Sequence, residues 1–296
     1  MKYSVFTVLL PDRTLEEVFH LLRDVGYDGV EVRVKQDYHV APDRVLSQVP
    51  ALARAMAETG LDIPVLATYL TLQDRKALLP VFEAADQLGA RGVRVGLGPP
   101  LDGTRSYREV LAEAQQGLKG LIEAIRPFRA RAFFEIHFRT VIASPSLAYL
   151  LLEPFDPGRV GVIFDPGNMI VEGREDWRVG LEVVREYLEH VHVKNASWHR
   201  KGGWQWKWDA LEDGMADWTQ VLAALVAVGY QGYLSNENLS GVSLPGATGF
   251  IGEKLSGEAA APRRPIETQL REDLEYLKRL AANLGGPCGG TAGGGA

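Results

Sequence analysis

The chain is poor in cysteine: of its 296 residues only Cys288 carries a thiol. A disulfide framework is excluded, and Cys288 stands in the Gly-rich stretch "LGGPCGGTAGGGA", a poor setting for a catalytic thiol. Long apolar runs are missing too. None approaches the ~18 residues of a membrane span, and the opening "MKYSVFTVLLPDRT" lacks a small-residue cleavage site. These absences lead to the expectation of a cytoplasmic protein that enters no membrane. Positive charge is in deficit, with 32 Lys and Arg against 38 Asp and Glu and a net charge of −6. A broad nucleic-acid surface needs a basic stripe, so nucleic acid is not an expected partner. No Gly-rich dinucleotide fingerprint follows the first apolar run, where "VLLPDRT" stands instead.

What is present is an alternation. Short apolar runs at 3–9, 29–34, 63–68, 92–97, 132–137, 160–165, 190–195 and 232–237 are separated by amphipathic helical patterns. "TLEEVFHLLRDV" opens with Thr14 and Glu17 spaced as a capping box. The phrases "DVGYDGVEV", "QLGARGVRV" and "AVGYQGYLS" repeat one grammar of helix end, Gly turn and strand start. Strands that alternate with helices are parallel. Eight such units predict a (β/α)8 TIM barrel, with a doubly wound open sheet as the alternative. A single domain is expected over residues 1–284, its last helix at 266–283. Residues 240–265 read as a long mobile loop, and 285–296 as a disordered tail.

The strand ends carry the chemistry. "GVIFDPGNM" takes a buried apolar run straight into Asp165, and a buried carboxylate is costly unless paired. A helix cap is one explanation for a single such Asp. Side chains alternate along a strand, however, and the same parity sends Glu135 of "AFFEIHF", His192 of "HVHVKN" and Glu237 of "GYLSNEN" into the barrel. Four ligand-type residues thus end strands five to eight, at the face where barrel enzymes keep their sites. Three carboxylates that close repel unless a cation joins them. Glu135, Asp165, His192 and Glu237 therefore point to one divalent metal ion. The oxygen-rich set favours Mn2+ or Mg2+, with Co2+ or Zn2+ open. The competing explanation is an ion-pair network with Lys194 and Arg94. Parity also turns Glu31, Arg33 and Arg94 inward, and both arginines are expected to pair with Glu31 below the site. His190 should lie deeper than His192, as a core or supporting residue.

The phrases "FFEIHFRT", "GVIFDPGN", "HVHVKNA" and "GYLSNEN" resemble the xylose isomerase-like TIM barrels, the superfamily of sugar isomerases and epimerases. The resemblance covers about residues 1–284. It implies that Glu135, Asp165, His192 and Glu237 are the metal ligands. It also implies that Glu135 and Glu237 act as the acid–base pair, with His137 and Lys194 as polar groups at the substrate. Two positions depart from the epimerase branch. Asn168 stands where a His is usual, and Lys194-Asn195 where Lys-Asp is usual. Both departures bring a keto-sugar or inosose dehydratase, or a β-eliminating lyase, into contention.

Five of the six tryptophans fall in "WHRKGGWQWKWDALEDGMADW", which begins after the seventh strand. Trp204 and Trp206 are candidates to stack on a sugar, as indoles do, and the rest to pack a satellite core. Arg200 is a candidate for a phosphate or carboxylate, Asn168 and His39 for further substrate contact. The expected function is a metal-dependent sugar isomerase or epimerase acting on a carbohydrate or polyol by proton transfer next to a carbonyl. A lyase on the same metal site is the alternative. A non-catalytic sugar-binding barrel ranks lower, as does a DNA-repair endonuclease, which would need more than this chain's six histidines and a basic groove. The sequence leaves open a homo-oligomer or a partner subunit.

Overall fold

Eight stretches rich in Val, Ile, Phe and Leu become parallel strands, because such residues suit a pleated surface buried on both sides. In a computed structural model these are β1 (Lys2–Phe6), β2 (Gly29–Val34), β3 (Val65–Thr71), β4 (Gly92–Gly96), β5 (Arg131–Glu135), β6 (Val160–Phe164) and β7 (Leu188–Val193). After a two-stranded interlude of β8 (Asn195–Arg200) and β9 (Trp204–Asp209) comes the eighth, β10 (Tyr233–Asn236). The structure describes residues 1–98, 101, 103–200, 202–240 and 264–284. The strands close in the order β1-β10-β7-β6-β5-β4-β3-β2. This is the expected TIM barrel and excludes the open sheet. The 285–296 tail, Cys288, Lys201 and nearly all of the 240–265 segment lie outside the described residues.

Around the barrel run α1 (Leu15–Val25), α2 (Val45–Thr59), α3 (Arg75–Leu88), α4 (Tyr107–Ala124), α5 (Pro145–Leu152), α6 (Pro166–Val171), α7 (Trp177–Val183), α8 (Trp218–Ala227) and α9 (Ile266–Leu284). Local chemistry sets their ends. Thr14 and Glu17 form the expected capping box. Gly26, Gly89 and Gly229, the first glycines of the three repeated phrases, turn the chain at φ +100, +71 and +78, a region that disfavours side chains with a Cβ. Among the described residues no helix is long and apolar enough to cross a membrane.

Strand parity behaves as expected. In β2, Val30, Val32 and Val34 are fully buried, while Glu31 and Arg33 take the inner face. The lower barrel is packed around an aromatic ring. Phe133 fills it where Gly92 and Gly161 leave room, and a Cβ on those glycines would lie 2.5 and 3.0 Å from the phenyl ring. Below it Arg131 shares the inward parity and pairs with Glu189, while Glu135, Asp165, His192 and Glu237 stand at the C-terminal ends of their strands, the face where barrel enzymes keep their sites.

Three boundaries differ from expectation. β1 stops at Phe6 rather than residue 9, because Thr7 turns the chain: its carbonyl accepts from Leu10 and its hydroxyl from the Arg33 amide. β5 ends at Glu135 because His137 and Thr140 close a turn, with the Thr140 hydroxyl donating to the His137 carbonyl at 2.7 Å. The tryptophan-rich segment, for which the sequence predicts no strand, forms a two-stranded pair. β8 and β9 pair antiparallel from Asn195↔Asp209 to Arg200↔Trp204.

At the barrel's closing strand, Asp273 of α9 is nearly buried. It accepts hydrogen bonds from Asn236 (2.9 Å) and Asn238 (3.0 and 3.1 Å), the residues on either side of Glu237. Burial raises its carboxyl to about 6, against the opposing effect of those two donors. The unfolded value is about 3.9. Between these values the native state holds the extra proton, so this group adds stability at low pH and loses it as pH rises through about 6. Going from pH 7 to pH 5 should stabilise the wild type over Asp273→Asn by on the order of 1 kcal/mol. Parallel thermal melts check this, and identical pH slopes for the two proteins would refute it.

Candidate metal centre

Asp165 follows β6 and caps α6. Its Oδ1 accepts from the Asn168 amide at 2.8 Å. The other oxygen faces the barrel mouth, 3.5 Å from His192 Nδ1 and 2.9 Å from Lys194 Nζ. The cap and the site are therefore not competing explanations, since each uses its own oxygen. Glu135 comes from the end of β5, His192 from β7 and Glu237 from just beyond β10. Potential ligand atoms of Glu135, Asp165, His192 and Glu237 all lie within 4.8 Å of one another. His192 Nδ1 lies 3.2 Å from Glu135 Oε1 and 3.1 Å from Glu237 Oε2. Asp165 and His192 are wholly buried, and Glu237 is nearly so.

The expected partnership of Arg33 and Arg94 with Glu31 does not form. Arg94 reaches up one pleat and binds Glu135 at 2.6 Å. Glu31 instead accepts from His190 Nε2 (3.0 Å), His192 Nε2 (3.1 Å) and the Ser235 hydroxyl (2.6 Å). The reason is position. Ser235 pairs in register with His192, and Glu31 with Phe6, beside them around the barrel. Glu31 thereby holds the His192 ring so that Nδ1 faces the carboxylates, and Phe6 stacks on that ring at 5.7 Å. Carboxylate partners of this kind orient metal-binding imidazoles. Glu31→Gln should weaken Mn2+ affinity by roughly 10- to 100-fold with the fold retained. Titration calorimetry measures it, and unchanged affinity would refute the role.

Lys194 threads into the same cluster, with Nζ 2.8 Å from Glu237, 2.9 Å from Asp165 and 3.6 Å from Glu135. Gly167 makes this possible, because a Cβ there would strike the Lys194 side chain and backbone. Burial pushes every carboxyl up, and the cations push back. Glu135 ends well below the usual carboxylate range through Arg94, His192 and Lys194. Glu237 is lowered by Lys194 and His192, whereas burial keeps Asp165 raised. Burial works against the charged form of His192 as well, but Glu31, Glu237 and Glu135 raise it well above its ordinary value. A field that holds positive charge this firmly suits a divalent cation, and three carboxylates with one imidazole match a hard, oxygen-preferring ion.

The remaining sequence candidates divide. Asn168 joins the cluster, its amide nitrogen 3.0 Å from both Glu135 Oε1 and Asp165 Oδ2. Its Oδ1 is buried with no partner, an orphaned acceptor beside the carboxylates. Asn195 faces away and laces the chain after β9, bonding Leu211 and Ala216. His137 stacks on Phe138 at 4.3 Å, and Phe138 packs against Trp206 and Trp208. The Trp208 ring lies 5.0 Å from Lys194 Nζ, so the β8–β9 pair reaches the mouth through Trp208. Trp206 is half-buried beside it. Trp204 and Arg200 stand together at the far end of the pair, with Trp204 70% exposed. His39 directs Nε2 to the Arg13 carbonyl at 2.7 Å. Sequence reasoning missed the supporting role of Glu31, the nearness of Trp208 and the need for Gly167. The parity that turned Glu31 inward was the one available signal.

The profile of the xylose isomerase-like TIM barrel family matches residues 19–280, and the chain belongs to that family. No curated protein sequence matches it. Solved structures resemble it in fold. The 3-keto-D-glucoside 4-epimerase from E. coli is 18% identical with a TM-score of 0.69, over 94% of this chain and 99% of that one. A probable 3-DHS dehydratase involved in petrobactin synthesis from Bacillus anthracis is 15% identical with a TM-score of 0.70, over 94% and 99%. A xylose isomerase-like TIM barrel protein from Mycobacterium smegmatis, in complex with magnesium, is 16% identical with a TM-score of 0.68, over 96% and 97%.

Proposed function

We propose that the protein is a divalent-metal-dependent sugar isomerase or epimerase that shifts a proton next to a carbonyl of a sugar or polyol. The observation that carries the reading is the convergence of Glu135, Asp165, His192 and Glu237 at the barrel mouth. These four would hold the ion, with Mn2+ or Mg2+ suited to the donor set; the magnesium of the Mycobacterium smegmatis relative fits that choice. When bound, the ion would polarise a substrate carbonyl as a Lewis acid. The protein supplies the proton transfers. Glu135 has both oxygens engaged, Oε1 by Asn168 and His192 and Oε2 by Arg94. Among the described residues Glu237 Oε1 receives no hydrogen bond, so Glu237 is the group able to take a proton from carbon. Lys194 supplies positive charge to the enolate oxygen, and Glu237 gives the proton back to the neighbouring carbon, Glu135 being held ionised by Arg94, His192 and Lys194. Trp208 and Trp206 offer apolar faces to the sugar.

A second reading, β-elimination to a dehydrated product, uses the same enolate. Asn168, in place of the family's usual His, favours it, as does the resemblance to the probable 3-DHS dehydratase. The deciding experiment is a panel of keto-sugars, ketoses and inososes incubated with Mn2+ in D2O and read by product mass. Isomerisation or epimerisation exchanges one hydrogen for deuterium at unchanged composition, whereas elimination loses water or an aglycone. No exchange and no product across the panel, with the metal bound, would reject both readings.

A further inference from the structure

β2 carries Arg33 two residues beyond Glu31 on the same inner face, one pleat nearer the mouth. The side chain is nearly buried, at 6% exposure. Its guanidinium lies between two phenols, 4.5 Å from the Tyr38 ring and 4.8 Å from the Tyr69 ring. Tyr69 is also 4.8 Å from the guanidinium of Arg94, and Lys35 Nζ lies 5.4 Å from the same ring. Three cations thus surround one phenol. Arg94 is neutralised by Glu135. Among the described residues no carboxylate lies within ion-pair distance of Arg33, and its Nε is buried with no hydrogen-bond partner. The Tyr38 hydroxyl is fixed by its own bond to the Thr7 carbonyl at 2.8 Å.

An arginine stays charged under all ordinary conditions. The aromatic faces attract its charge and the Tyr38 hydroxyl offers a neutral acceptor, but neither balances the charge. A nearly buried fork of N–H groups held between two rings, with no carboxylate partner among the described residues, is built to receive a planar or tetrahedral anion. Tyr69 is 38% exposed, so the patch opens to the mouth. Tyr69 also links it to the cluster, because Arg94 on the ring's other side grips Glu135.

The geometry points to Arg33 as the anchor for an anionic oxygen substituent, a carboxylate or a phosphate, on the substrate bound at the cluster. The true substrate is then a sugar acid or a sugar phosphate rather than a neutral sugar. This inference rests on the proposed sugar chemistry.

The test compares neutral ketoses with the corresponding keto-aldonates and ketose phosphates, by titration calorimetry on Mn2+-loaded protein. Wild type should bind the anionic member roughly 10- to 100-fold more tightly than its neutral counterpart, the span of a charge-assisted hydrogen bond. Whether carboxylate or phosphate gives the gain identifies the group. Arg33→Met should bring the ratio to within about threefold, with metal content unchanged, and Arg33→Lys should restore part of it by charge without the fork. Equal binding of neutral and anionic members by wild type would overturn this inference alone, as would an anionic preference that survives in both variants. Failure of every member to bind metal-loaded protein would overturn the sugar reading and this inference with it.

Discussion

Glu237→Gln should cost the protein both its metal and its turnover. Glu237 Oε2 is shared between Lys194 and His192, at 2.8 and 3.1 Å, while among the described residues Oε1 receives no hydrogen bond. Gln keeps the shape and removes the charge. Mn2+ affinity should fall by more than the 10- to 100-fold that loss of a mere outer partner costs. Turnover at saturating Mn2+ should fall by a further ~10²–10⁴, the usual size of an acid–base contribution. Calorimetry reads the first effect and a deuterium-exchange assay the second. Loss of metal with full turnover at saturating Mn2+ would move the base to another residue. Retention of both would remove Glu237 from the centre altogether.

The second large effect is expected at His137. The ring is half-buried, and its Nδ1 lies 2.8 Å from the Phe138 carbonyl. A carbonyl can only accept, so Nδ1 carries the hydrogen of that bond and Nε2 is left for the substrate. Phe138 braces the ring on one side and meets Trp206 and Trp208 on the other. In the proposed reading His137, braced in the aromatic wall that Trp208 extends to Lys194, serves a substrate hydroxyl or leaving-group oxygen, while Glu237 serves the carbon. His137→Ala should lower turnover by roughly 10²–10⁴ and leave Mn2+ content unchanged, the opposite partition from Glu237→Gln. Near-normal turnover in metal-loaded His137→Ala would reduce the residue to a support for Phe138. The proton at the substrate oxygen would then fall to Glu135, Glu237 or Lys194.

Much of the centre was legible before any coordinates because it depends on local rules. The inward set Glu135, His192 and Glu237 follows from a side-chain period of two, and Asp165 from the strand-to-helix turn that the same nine residues spell. Less was legible where a side chain had several partners in reach. Arg94 and Glu31 both face inward, yet Arg94 goes to Glu135 and Glu31 to two histidines. That choice depends on the stagger between non-adjacent strands, which no single stretch of chain encodes. The tryptophan segment is not legible as a strand pair, because its antiparallel pairing, Trp198↔Trp206 and Ala196↔Trp208, carries no strong turn signal beyond two glycines.

The sequence by itself determined the barrel, its capped helices, the parity of its strands and the residue types that end them, since propensity, capping and alternation act over a few residues. Tertiary structure alone decided which oxygen and which ring nitrogen face the cluster. It also decided that Gly167 must yield space to Lys194, that Trp208 rather than Trp204 comes to the mouth, and that Arg33 is left among phenols with no carboxylate partner among the described residues. These are outcomes of closure. Eight strands brought round on themselves set residues from distant parts of the chain side by side, and buried charges there take the partners that distance and desolvation allow.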